Sequence, residues 1–136
     1  MVMGARATVD QYQQAQVQTA DRGQLLLLMF DGGLKFLAGA EKALSEGKVP
    51  EFAQQLGRAQ AVIAELLHTL DHEAGGEIAQ NLDRLYRFML DHLVEANLKK
   101  SPEHIGQVRR ILGIIADAYR QILSGGLPRM DGLDAA

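Results

Sequence analysis

Along most of this chain the large apolar side chains recur at alternating steps of four and three, the spacing that lines one face of an α-helix. One run reads Leu26, Phe30, Gly33, Leu37, Ala40, Leu44. A second reads Phe52, Leu56, Ala59, Ile63, Leu66, Leu70, and another Ile105, Val108, Leu112, Ile115, Tyr119, Ile122. No strand-like alternation competes with these runs, and no internal repeat is evident.

The residues between the runs predict where each helix starts and stops. Asp21 with Gln24 three residues on is a capping-box arrangement, so the first helix is expected to start there and run to about Ser45, where "SEGKVP" ends it. Pro50 suits the first turn of a second helix, because its missing N–H would have no partner there anyway. That helix is expected to reach about Glu73 and stop at Gly75-Gly76, glycine being favoured just past a helix end. The third helix then spans residues 77–98. Ser101, Pro102 and Glu103 supply a cap, a first-turn proline and a first-turn acid for a fourth, ending near Ser124. Connections this short force neighbours to run in opposite directions. The prediction is an all-α, antiparallel four-helix bundle over residues 21–124.

Residues 1–20 are polar and rich in glutamine, with isolated Tyr12 and Val17, and read as a mobile N-terminal arm with room for a short extra helix. Residues 125–136, "GGLPRMDGLDAA", read as a disordered, flexible tail. Gly32-Gly33 in mid-helix costs ~1 kcal/mol per glycine relative to alanine. Close approach of a neighbouring helix would justify that cost, and so would room for a partner's backbone.

Composition narrows the function. Acidic and basic residues are interspersed at a net charge of −3, with no basic run longer than Lys99-Lys100 or Arg109-Arg110, so nothing suggests nucleic-acid binding. The absence of cysteine excludes disulfides, thiol catalysis and cysteine-ligated zinc. The longest run of large apolar residues, Leu25 to Phe30, falls far short of the ~20 that a membrane span needs, so no membrane insertion is expected. The N-terminus has no signal-peptide pattern, which makes the cytoplasm the default location.

Catalytic and metal chemistry find little support. Glu65-Leu66-Leu67-His68 fits the E-x-x-H ligand pair of di-iron bundles, but such sites need two of these motifs and two further glutamates, all pointing inward. Here there is one motif, and His68 and His72 lie opposite the Leu66/Leu70 stripe. An exposed histidine on a four-helix bundle can serve phosphotransfer. Yet "HTLDHEAGG" puts Asp71 where a cation would help, and His92 and His104 have no better setting. No nucleophile triad or phosphate-binding loop can be assembled, so neither an enzyme nor a bound cofactor or metal is expected. The charged pairs read as solvated helix faces.

The third helix stands apart. At ~100° per residue, Ile78, Leu82, Leu85, Tyr86, Phe88, Met89, Leu90, Leu93 and Val94 sweep roughly 240°, whereas a bundle helix needs an apolar stripe somewhat over ~100° wide. Either the protein buries this surplus itself, by a central position, the polar arm or weak self-association into a homodimer, or it is a groove for a peptide. Asn81 and Asn97 lie within or beside the arc, with amides able to bond a peptide backbone or to cap the helix.

Three segments carry a resemblance: "YQQAQVQTADRGQLLLLMFDGGLKFL", "RAQAVIAELLHTLDHEAGGEIAQNLDRLYRFMLDHLVEAN" and "VRRILGIIADAY". Their order resembles the flagellar export chaperones of the FliS type, over roughly residues 12–123. The stretch from Leu70 to Asn97 is its most specific part. The chain departs from the family in having Asp21-Arg22 where Ser-Pro is common, Phe30 for Tyr and Tyr119 for Trp. The resemblance implies a cytosolic helical bundle that binds the C-terminal segment of flagellin, keeps it from polymerising and delivers it to the export gate. It implies an arm that lies over part of the groove and moves aside, with Tyr12 and Val17 as anchors. The contacts expected on the third helix are Ile78, Leu82, Tyr86, Met89 and Leu93, with Asn81 and Asn97 as polar ones.

Overall fold

The computed structural model describes the backbone of residues 2–125 and the side chains of residues 22–125. It contains four helices: α1 (Val2–Ser45), α2 (Val49–His68), α3 (His72–Lys99) and α4 (Pro102–Leu123). α1 neighbours α2 and α4, and α3 neighbours α2 and α4, so α1 and α3 stand on one diagonal of the bundle and α2 and α4 on the other. The expected antiparallel bundle is what the chain forms. The expectations for the tail beyond Gly125 and for the side chains of Tyr12 and Val17 lie outside the described residues.

The core is the set of four-three runs. Phe30, Leu37, Ala40, Phe52, Leu56, Ala59, Ile63, Leu66, Ile105, Val108, Leu112 and Ile115 are all buried. Each large side chain of this kind contributes ~1.5–3 kcal/mol on leaving water. Leu26, Leu44, Leu70 and Tyr119 pack against the edge of this core, and Ile122 departs from the expectation by remaining exposed. The Phe30 and Tyr119 rings meet at 5.1 Å between centroids, joining α1 to α4. Gly33 explains half of the glycine pair: a Cβ there would lie 3.1 Å from Leu112 Cδ2 and 3.3 Å from Val62 Cγ1. The small residue therefore lets α2 and α4 close on α1. Gly32 has nothing within 4 Å of the same position.

Two helix boundaries differ from expectation. α1 does not begin at Asp21; its helical backbone runs on from Val2. Residues 11–22 contain neither glycine nor proline and are mostly good helix formers. Helix extension there costs less than the new start that one cap would favour. α2 does not reach Glu73 but ends at His68. Thr69 Oγ1 donates to the Leu66 carbonyl at 2.7 Å, and Asp71, in extended conformation, accepts from the Ala74 N–H at 3.1 Å. Asp71 is thus the N-cap of α3 rather than part of α2. The glycine pair lies inside α3, where Gly76 at φ 51°, ψ −122° makes a kink. That backbone conformation is open to glycine alone.

The remaining ends follow their signals. Gly47, at φ 72°, closes α1, with Gly47 N–H on the Leu44 carbonyl and Lys48 N–H on the Ala43 carbonyl. Pro50 lies in the first turn of α2. Ser101 caps α4, its hydroxyl accepting from the His104 N–H at 3.3 Å.

Candidate functional site

α3 resolves its own surplus in an unexpected way. Its buried residues are Ala79, Leu82, Tyr86, Met89, Leu93 and Ala96, an uninterrupted three-four seam facing the core. Leu82, Tyr86, Met89 and Leu93, expected as partner contacts, are therefore packed in the bundle interior, with Met89 and Leu93 at 0% exposure. Tyr86, Met89 and Leu93 are closed off unless the helices part, whereas Leu82, at 6% exposure, also lines an open cleft at the end of the bundle. Ile78 is 71% exposed, and Phe88, Val94 and Leu98 are exposed too.

The surplus is split between two sides. At ~100° per residue, Ile78 and Phe88 fall on one side of Tyr86, and Val94 and Leu98 on the other. The strip opposite the core, with Arg84, Arg87 and Asp91, is exposed and polar. Phe88 belongs to the α4 side: its ring stacks on His92 at 4.9 Å, and His92 stacks on His104 of α4 at 4.3 Å. His104 Nδ1 lies 2.7 Å from Ser101 Oγ, and His92 Nε2 pairs with Gln107. The other side leads to α2, where Lys100 places its ammonium 5.3 Å from the Phe52 ring centroid.

Both asparagines are on the surface. Asn81 Oδ1 accepts from Arg84. Asn97 belongs to the end of α3: Lys100 Nζ donates to its carbonyl at 2.9 Å and to its Oδ1 at 3.0 Å. Those bonds help hold Lys100 in the left-handed conformation, at φ 51°, that ends the helix.

A cleft opens where α2 turns into α3. One part, of about 310 Å³, is lined mainly by Leu26, Leu70, Ile78, Ala79, Leu82 and Tyr119. A second part, of about 460 Å³, is lined by Arg22, Leu25, Leu26, Met29, Thr69 and Asp71. Leu26, Thr69 and Asp71 border both. Leu25, which lines the cleft, is largely exposed, as is Leu28 of the same run. Sequence reasoning passed over this cleft because Leu25 and Leu28 lie in an unbroken apolar run. Placing them against Leu26 and Phe30 on a helical wheel would have set them outside the core stripe.

The histidines make no ligand set. His68 is exposed, its Nδ1 donating to the Ala64 carbonyl at 3.2 Å. His72 Nε2 lies 3.4 Å from Asp83. Among the described residues no three or more histidine or carboxylate side chains gather where they could hold a metal ion. No described helix is long and apolar enough to cross a membrane.

The sequence profile of the flagellar protein FliS matches residues 5–125, nearly the whole chain. The chain belongs to the FliS family. It is 40% identical over 114 residues to the flagellar secretion chaperone FliSB of Pseudomonas aeruginosa, covering 81% of this chain and 90% of that protein. It is 36% identical over 120 residues to the flagellar secretion chaperone FliS of Salmonella typhimurium, covering 88% and 89%. The Bacillus subtilis FliS is 31% identical over 112 residues, covering 82% and 83%. The FliS match spans the end cleft and both exposed sides of α3.

Proposed function

We propose that this chain is a non-enzymatic, cytoplasmic export chaperone. It binds the C-terminal segment of flagellin, keeps it from polymerising and delivers it to the export gate of the flagellar type III apparatus. The observation that carries this reading is the family match over residues 5–125, together with relatives named as flagellar secretion chaperones.

The geometry supports a binding surface rather than a catalytic centre. Exposed Ile78 and Phe88 on one side of α3, and Val94 and Leu98 on the other, offer separate apolar footholds around a rigid helix. A disordered amphipathic segment that folds on binding can wrap such footholds, losing ordering entropy but burying surface on more than one side. Asn81 and Asn97 stand beside these footholds, with amide groups that suit the backbone of an incoming segment. Leu82, Tyr86, Met89 and Leu93 then act from beneath, fixing the angle of α3 through the core. Tyr12 and Val17 remain the proposed anchors of an N-terminal segment that covers part of the surface and yields it to flagellin.

Calorimetric titration of a peptide of the flagellin C-terminal segment into the full chain tests the proposal. Saturable binding with a negative heat-capacity change is expected. No heat and no spectral shift at high micromolar peptide would overturn it.

A further inference from the structure

The end cleft leaves apolar surface in water inside an otherwise well-packed bundle. Ile78 at 71% and Leu25 at 57% exposure flank a concavity floored by Leu26, Leu70, Leu82 and Tyr119. Its rim holds one charge of each sign, Arg22 and Asp71.

The chain leaves α4 beside this cleft. Tyr119, on the last turns of α4, lines it. Leu123, the last residue of α4, lies over Gly23 of α1, with its Cδ1 3.0 Å from where a Cβ would stand. Gly23 in turn adjoins Arg22 of the rim. Gly125 then takes a positive φ of 85°, the left-handed turn that diverts a chain leaving a helix.

Residues 126–136 lie outside the described residues, but their sequence fits the cleft in three respects. Eleven residues reach up to ~36 Å when extended, ample to cross the end of a bundle. Leu127, Met130 and Leu133 recur every third residue, the spacing that would share one face of a polyproline-type strand, a backbone compatible with the proline at position 128. Arg129 and Asp131 stand between them, complementary to Asp71 and Arg22 of the rim.

We propose that residues 127–133 dock in the end cleft of the free protein, with Leu127, Met130 and Leu133 covering Leu25, Leu26 and Ile78. The chain thereby shields its own apolar surface, and anything else that uses Ile78 must first displace the tail. This holds whatever α3 binds.

The lack of cysteine in the chain makes the test clean. A nitroxide attached to the full-length Ala135→Cys variant should broaden the amide signals of Leu26, Thr69 and Ile78. Adding Leu127→Ser and Met130→Ser should abolish that broadening without moving the melting temperature. Equal broadening with and without the two serines, or none at the cleft in either protein, overturns docking of the tail. Mixing spin-labelled unlabelled-isotope chain with 15N chain separates the other occupant: broadening that appears only in the mixture assigns the cleft to a second copy and overturns the proposal.

Discussion

Tyr86 decides how α3 is read at the scale of single residues. From periodicity alone it belongs to an apolar arc of roughly 240° at ~100° per residue, with nothing to say which part faces inward. The structure buries it to 1% exposure. Ala79 and Ala96 are what make the seam legible afterwards, since they complete the three-four spacing through Leu82, Tyr86, Met89 and Leu93. Alanines announce burial weakly, so the arc looked continuous. Tyr86→Glu should therefore leave an uncompensated charge in the core and cost ~3–5 kcal/mol of stability, read as a collapsed melting temperature rather than as a selective loss of binding. Burial, with the nearby Tyr119 phenol, also raises the Tyr86 phenol well above the usual tyrosine value. Below pH ~10 both folded and unfolded chains keep the proton, and its contribution is fully present. As pH rises further the unfolded chain ionises while the buried phenol does not, so stability falls until the folded value is passed. Melting temperatures above pH ~10 should drop more steeply for the wild type than for Tyr86→Phe; parallel curves would contradict this.

Helices were legible as elements because each carries its own period and most carry their own stops. Gly47, Pro50 and the Ser101 cap act where the sequence places them. The α2–α3 corner was not legible, because two punctuating signals compete there. Gly75-Gly76 is the stronger stop in sequence, but Thr69 and Asp71 satisfy the free backbone groups first, and the glycines become a kink. Gly76→Ala should cost ~1–3 kcal/mol through backbone strain alone, since nothing lies within 4 Å of the added carbon. The neighbouring pair in α1 should split in sign. Gly32→Ala, in open space, should raise stability by ~0.5–1 kcal/mol. Gly33→Leu, driven against Leu112 and Val62, should lower it by ~1–3 kcal/mol. Denaturant unfolding of the two variants side by side checks both signs.

For the whole molecule, the bundle follows from four amphipathic runs and short connections, whereas the site depends on how the runs are rotated against one another. That rotation is set by packing at positions such as Gly33 and the Phe30–Tyr119 contact, which no single helix specifies. It turns the predicted apolar surplus of α3 into two separate exposed sides around a buried seam. It also opens a cleft that the periodicity did not announce. An export chaperone that wraps a flagellin segment around α3 should depend on those exposed sides and not on further opening of the core.

Calorimetric titration of the flagellin C-terminal peptide into wild type and a Phe88→Ser/Val94→Ser variant tests this most directly. The account predicts saturable binding to the wild type, with affinity at least tenfold weaker, about 1.4 kcal/mol, in a variant whose melting temperature is nearly unchanged. Equal affinity in both proteins, or no binding to either, would contradict it.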